Sequence, residues 1–153
     1  MNQGSRDYVL SAAKEHQVKF IRLWFSDILG FLKSVAIPLE QLDEALSEGV
    51  GFDGSSVEGF ARIDESDMLA LPDPATFQVL PFRPQGGQAV ARMFCDILLP
   101  SGNPYPGDPR YVLKRNLKRA SDLGYTFYVS PELEYYYFLS SSPPLEVLDE
   151  GGY

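Results

Sequence analysis

A short segment rich in proline and glycine, residues 100–107, divides this chain into two unequal parts. It contains three prolines and two glycines, residues that interrupt both helices and strands. We therefore predict one domain over residues 1–103, with its core at about residues 16–99, and a second unit over residues 104–153.

The first part has the mixed pattern of a small α+β domain. Apolar and charged residues interleave over residues 18–25 and 31–37, which predicts a β-hairpin. A helix is expected next, ending at Gly49, followed by a loop over about residues 51–63 that is rich in glycine and serine. Further strands are predicted at residues 67–71, 76–80 and 89–98.

The second part begins with a helix but lacks the elements of a complete domain. Asp108 precedes Pro109, which is typical of a capping residue followed by a proline in the first turn, and Gly124 suits the end of that helix. Residues 125–139 are rich in aromatic side chains and predict one long strand. Because one helix and one buried strand cannot cover each other fully, we expect this unit to be unfinished.

Charge and cysteine content exclude several classes of partner. The net charge is −8, which argues against non-specific binding to nucleic acids and against anionic membrane surfaces. No apolar run approaches the roughly 20 residues that span a bilayer, and the first residues lack the apolar core of a secretory signal. Cys95 is the single cysteine, which excludes an intrachain disulfide and fits a cytoplasmic location.

The first candidate for chemistry is a carboxylate in a stretch of small residues. Asp53 lies between Gly51 and Gly54, and Ser55 and Ser56 follow it. A carboxylate beside hydroxyl groups can hold a small cation or accept a proton. The same residues are typical of a turn in which an aspartate bonds its own backbone, and taken alone they favour that turn.

The second candidate is a pair of carboxylates in the predicted strand at residues 125–139. Residues two apart on a strand point to the same side, so Glu132 and Glu134 would lie together. Two adjacent anions suit a hard cation such as Mg²⁺ or Mn²⁺. The aromatic neighbours argue against a solvated strand face, although a structural ion pair is an equally good interpretation of buried carboxylates.

A series of short motifs extends over nearly the whole chain, and in this order and spacing it resembles type I glutamine synthetase. The motifs are FSDILG at 25–30, FDGSS at 52–56, ESDM at 65–68, LPDP at 71–74, CDI at 95–97, GDPR at 107–110 and PELE at 131–134. The resemblance implies a β-grasp domain followed by the start of a barrel-like catalytic domain. It also implies an ATP-dependent ligase that makes glutamine from glutamate and ammonia through γ-glutamyl phosphate.

The resemblance also implies roles for individual residues. Asp53 would bind ammonium and help to remove its proton, and Ser56 would support that site. Glu132 and Glu134 would ligate the two divalent metal ions, Mg²⁺ or Mn²⁺, that act on the transferred phosphoryl group of ATP. Arg62 would take part in feedback inhibition by glutamine, and a salt bridge is an equally good interpretation of this arginine.

Members of this family assemble as two stacked hexameric rings, in which the small domain of one subunit completes its neighbour's active site. Asp53 and the two glutamates would then serve different sites. Other parts of the family's active site would lie beyond Tyr153, so we expect an N-terminal fragment that is inactive alone. Two alternatives stay open: a ligase that joins glutamate to a larger amine, and a non-catalytic β-grasp interaction module.

Overall fold

The computed structural model describes residues 3–57, 67–82 and 89–151. These ranges contain three α-helices and six strands: α1 Gln3–Glu15, β1 Val18–Ser26, β2 Leu32–Pro38, α2 Leu42–Glu48, β3 Val50–Asp53, β4 Asp67–Pro72, β5 Gln78–Val79, β6 Ala89–Leu98 and α3 Pro109–Asp122. None of the helices is both long enough and apolar enough to cross a membrane within these ranges.

Strand β6 organises a mixed sheet with the order β2-β1-β6-β4-β3, and the short strand β5 also pairs with β6. The first half of β6 runs parallel to β1, with Val18 opposite Ala89 and Trp24 opposite Phe94. Its second half runs antiparallel to β4, with Leu69 opposite Leu98. The hairpin of β1 and β2 is antiparallel and confirms the pairing that the alternating pattern predicted.

Helices α1 and α2 contribute to the core that forms against one face of the sheet. Alternate residues of β6 are buried, and the helices add Val9, Ala13, Leu42 and Leu46. Full burial of each large aliphatic side chain contributes about 1.5–3 kcal/mol. The buried residues of β6 are Ala89, Ala91, Met93, Cys95 and Ile97.

A buried aspartate closes the β1–β2 hairpin. One Asp27 oxygen, Oδ1, accepts hydrogen bonds from the N–H groups of Leu29 at 3.0 Å and Phe31 at 2.8 Å. The other oxygen lies 3.1 Å from Nζ of Lys33. Burial alone would raise the pKa of Asp27, but the bonds from Phe31 and Lys33 outweigh it, so this pKa lies below its ordinary value. Gly30, with φ of +86°, supplies the left-handed residue that the turn needs.

The predicted loop at residues 51–63 is wrong at its start, because Gly51 and Asp53 lie in strand β3. Glycine weakens a strand, but Phe52 lies opposite Met68 of β4 and stacks on Phe25 with 4.9 Å between ring centroids. This long-range packing determines the strand. A 3₁₀ turn follows at Gly54–Ser56, and residues 58–63 lie outside the described residues.

The predicted strand at residues 125–139 is also wrong. These residues are exposed and form no strand, and the isolated bridge between Phe138 and Val147 is the one pairing described in this part of the chain. A strand needs a partner to satisfy its backbone groups, and residues 3–57, 67–82 and 89–151 supply none here. Glu132 and Glu134 therefore do not share the face of a strand in this structure.

The segment between the two parts folds back on the sheet. The N–H of Tyr105 donates to the carbonyl of Ile97 at 2.9 Å, and the N–H of Leu99 donates to the carbonyl of Asn103 at 2.8 Å. Tyr105 packs against the core. Helix α3 then starts as predicted, with Asp108 as its capping residue. The boundary after residue 103 stays a prediction.

Candidate functional site

Asp53 ends strand β3 at the start of a tight turn. Its Oδ1 accepts hydrogen bonds from the N–H of Ser55 at 2.9 Å and from the hydroxyl of Ser55 at 2.6 Å. The N–H of Val57 donates to the carbonyl of Gly54 at 3.1 Å and closes the turn. The turn that the sequence favoured is therefore formed, and it also gives the carboxylate a defined direction.

The Asp53 turn lies at an open cleft on the edge of the sheet. Asp53 is exposed, and the β3–β4 ladder places Asp67 directly opposite it. Two carboxylates at one cleft favour a cation over an anion or a neutral ligand. The cleft has a volume of about 470 Å³ and is lined by Gly51, Phe52, Asp53, Asp67, Met68, Leu69 and Pro100.

The other residues predicted near Asp53 have different outcomes. Ser56 lies in the same 3₁₀ turn, and its side chain is outside the described part of the structure. Ser55 contacts the Asp53 carboxylate, although no separate role was predicted for it from the sequence. The signal was present, because the residue two positions after a turn aspartate is the usual donor to it. Arg62 lies outside the described residues.

The predicted metal pair is not assembled into a site by the part of the chain that the structure describes. Glu132 and Glu134 are exposed in an irregular segment. The described ranges bring together no group of three or more His, Cys, Asp or Glu side chains that could hold a metal ion. Mg²⁺ and Mn²⁺ prefer about six oxygen ligands, so two carboxylates do not make a complete site.

Comparison with known families decides the identity of this fold. Residues 17–100 match the family model described as the glutamine synthetase β-grasp domain, and residues 106–145 match that of the glutamine synthetase catalytic domain. The chain belongs to the glutamine synthetase family. Its mixed sheet therefore belongs to a β-grasp domain, and the start of the catalytic domain follows it, as the motifs predicted. The family consists of ligases of glutamine biosynthesis that use ATP and divalent metal ions and form oligomers.

Individual relatives agree with this assignment. The glutamine synthetase of Mycolicibacterium smegmatis is 53% identical to this chain, and that of Methanosarcina mazei is also 53% identical. Each alignment covers 97% of this chain and 34% of the relative, so the chain spans about a third of the length of these relatives. The solved glutamine synthetase of Plasmodium falciparum has a similar fold, with a TM-score of 0.68 and 21% identity over 81% of this chain and 23% of that one.

Proposed function

We propose that this chain carries the ammonium-binding turn of an ATP-dependent glutamate–ammonia ligase. One observation supports the proposal most directly: the Asp53 carboxylate is oriented by Ser55 at the mouth of a cleft, on the matched β-grasp domain. Both curated relatives described above are glutamine synthetases, which favours ammonia over a larger amine and an enzyme over a non-catalytic module.

The proposed chemistry at Asp53 is electrostatic first and then acid–base. The negative carboxylate attracts ammonium and accepts one of its protons, which frees the lone pair of nitrogen. The resulting ammonia attacks the carbonyl carbon of γ-glutamyl phosphate, a C–N bond forms, and phosphate departs with the electrons of the C–O bond. The new amide nitrogen then releases one further proton to water. Ser55 keeps Oδ1 of Asp53 in place through two hydrogen bonds. Ser56 is proposed to support the same site.

The proposed metal role belongs to Glu132 and Glu134. Bound Mg²⁺ or Mn²⁺ would neutralise charge on the phosphoryl group that ATP transfers to glutamate. The two glutamates are proposed to supply part of the ligand set, since the described ranges bring together no group of three or more possible metal ligands.

We also propose the assembly that the family resemblance implies. Two stacked hexameric rings would bring the Asp53 turn of one subunit to the catalytic domain of its neighbour, while Glu132 and Glu134 serve a different active site. The residues of this chain alone would then hold only halves of two sites and would not catalyse the reaction. A role for Arg62 in feedback inhibition and a cytoplasmic location are parts of the same proposal.

The Asp53 assignment is tested by Asp53→Ala in the complete polypeptide that carries these residues. We expect ammonium-dependent turnover to fall by about 100-fold or more, because a positioned acid–base group contributes at least that much. ATP binding should be unchanged, as measured by calorimetry. Ser55→Ala is the matched variant, and its loss of ammonium-dependent turnover should be smaller because the Asp53 carboxylate remains. Normal glutamine formation by Asp53→Ala would refute the proposed role.

The metal assignment is tested separately, by titrating Mn²⁺ into the complete polypeptide. Glu132→Gln and Glu134→Gln should each weaken Mn²⁺ binding by about tenfold or more, since each removes a charged ligand. Glu146→Gln is the control, because Glu146 is also an exposed glutamate of the same irregular region. Equal Mn²⁺ affinity in all three variants would contradict the role of the pair.

A further inference from the structure

Three of the sequence motifs have no part in the proposed chemistry, and the structure brings all three together. LPDP places Asp73 directly after β4, CDI places Asp96 on β6, and GDPR places Arg110 in the first turn of α3. The Arg110 guanidinium bridges the two carboxylates, with Nη2 at 2.6 Å from Oδ2 of Asp73 and Nη1 at 2.8 Å from Oδ1 of Asp96.

Two further residues strengthen this contact. Lys114, one turn along α3, places Nζ 2.6 Å and 2.8 Å from the two Asp96 oxygens. The buried carboxylate of Asp108 accepts from the N–H of Ile97 in β6 at 3.1 Å and from the N–H of Arg110 at 3.0 Å. We call Asp73, Asp96, Asp108, Arg110 and Lys114 the helix clasp.

The helix clasp differs from an ordinary surface ion pair. The side chains of Arg110, Asp73 and Asp96 are 24–29% exposed, whereas those of the Lys118–Asp122 pair on the same helix are 75% and 62% exposed. Arginine also holds two carboxylates in a planar geometry that a mobile lysine does not reproduce. Burial would raise the pKa of Asp73, but the hydrogen bonds from Arg110 and Ala75 and the positive charges of Arg110 and Lys114 together outweigh it and lower that pKa. Arg110 and Lys114 therefore stabilise the charges of Asp73 and Asp96. Asp108 contributes through its two hydrogen bonds from backbone N–H groups.

Strand β4 connects the helix clasp to the Asp53 turn. One end of β4 is Asp67, which lies opposite Asp53, and the other end leads directly to Asp73. Six extended residues span about 20 Å. Because β4 is hydrogen-bonded to β3 on one side and to β6 on the other, it is held rigidly within the sheet. Helix α3, in turn, leads into the segment that contains Glu132 and Glu134.

We propose that Arg110 is a positioning residue that determines where the Asp53 turn lies relative to helix α3 and the chain that follows it. This proposal rests on the proposed function, because it explains what fixes the distance between the Asp53 turn and the segment that contains Glu132 and Glu134. In a ring of subunits this spacing decides how accurately one subunit's turn reaches its neighbour's catalytic domain.

The contact itself is tested by hydrogen exchange, which makes no reference to catalysis. In Arg110→Met, amide exchange at residues 95–98 and 110–114 should accelerate by about tenfold or more relative to the hairpin at residues 18–38. Lys118→Met is the matched control, because it removes one positive charge from the exposed face of the same helix. Equal exchange rates in both variants would overturn the helix clasp. If Arg110→Met does not fold, Asp96→Asn provides the same comparison with a smaller change.

The positioning role is tested by kinetics of the complete polypeptide. Arg110→Met should raise KM for ammonium by about tenfold with less than about a twofold change in kcat, since the Asp53 carboxylate is intact but displaced. Arg110→Lys should be intermediate, because lysine keeps the charge but not the planar bridge, and Lys118→Met should match the wild type. A lower kcat with an unchanged KM for ammonium would overturn the positioning role. Asp53→Ala distinguishes the two proposals. If Asp53 does not bind ammonium, Asp53→Ala keeps normal turnover, whereas a failure of the positioning role changes only the result expected for Arg110→Met.

Discussion

Asp53 lies directly opposite Asp67 in the antiparallel ladder of β3 and β4. Directly opposed side chains in such a ladder project from the same side of the sheet, and like charges in this arrangement destabilise it. Both aspartates are exposed, so solvent screens much of this repulsion. Repulsion between these two carboxylates therefore slightly destabilises the edge of the sheet, at the same cleft that we propose binds a cation.

We predict that Asp67→Asn stabilises the fold, because it removes this repulsion while keeping the size of the side chain. The free energy of unfolding in urea should rise by about 0.5 kcal/mol at low salt, and the gain should disappear near 0.5 M salt. Asp122→Asn is the control, since Asp122 is an exposed aspartate that pairs with Lys118 and should give no gain. A decrease in stability for Asp67→Asn would contradict the prediction.

Asp108→Ala should destabilise the fold strongly. The substitution removes the cap of α3 and leaves the N–H of Ile97 in the sheet without its side-chain acceptor. Together these losses should lower the free energy of unfolding by about 2 kcal/mol. Asp149→Ala is the matched control, because Asp149 also accepts a backbone N–H, from Gly151, but is exposed. The free energies of unfolding of the two variants, measured by chemical denaturation, should differ clearly, and equal values would argue against the capping role of Asp108.

The contribution of Asp27 to stability should depend on pH. The pKa of Asp27 in the fold is below its ordinary value of 3.8, because the bonds from Phe31 and Lys33 outweigh the effect of burial. Its contribution is therefore present above about pH 3.8 and is lost as the pH falls through the lowered pKa.

Asp27→Asn isolates this effect from the other carboxylates. The variant should be less stable than the wild type at pH 6, and the difference should narrow as the pH falls towards about 2. Thermal unfolding of both proteins across this range is the measurement. A difference that stays constant with pH would show that the charge of Asp27 does not contribute.

Cys95 should be unreactive in the folded chain. Burial raises the pKa of the Cys95 thiol, so little of the nucleophilic thiolate forms, and the side chain is also inaccessible. At pH 8 a thiol reagent should modify Cys95 only after the chain is unfolded in guanidinium. Ser121→Cys adds an exposed thiol on α3 as an internal reference, and that thiol should react at once. Rapid reaction of Cys95 in the native state would contradict its burial.

The sequence predicted well those elements whose signals are local. The alternation over residues 18–25 and 31–37 depends only on neighbouring residues. The bounds of the two observed strands differ from these ranges by one residue at three of the four ends. The capping of α3 by Asp108, next to Pro109, has the same local origin. Short motifs then identified the family, because their order carries more information than any one of them.

Some elements that depend on distant partners were predicted wrongly. Gly51 argues against a strand until Phe25 and β4 are known to pack beside it. The aromatic run at residues 125–139 indicated a strand whose partner lies nowhere in the described residues. The ion pair between Lys114 and Asp96 was not predicted, because it depends on how α3 meets the sheet.

The candidate site was likewise predicted only in part from the sequence. Asp53 was singled out from the sequence, and the structure shows how Ser55 orients it. The position of Asp67 opposite Asp53 depends on the register between two strands, which was not predicted from the sequence. The roles of Asp53 and Ser56 at ammonium, and of Glu132 and Glu134 at metal, stay predictions.

The parallel pairing of β1 with β6 also bears on how the chain is made. Val18 leaves the ribosome roughly 70 residues before its partner Ala89, a delay of about 4–14 seconds at ordinary synthesis rates. During this time the backbone N–H and C=O groups on one edge of β1 have no strand to pair with, because β6 has not yet been made. Because β1, β4 and β5 all pair with β6, the sheet cannot form as a whole until Leu98 has been synthesised, and its folding is therefore coupled to the rate of translation.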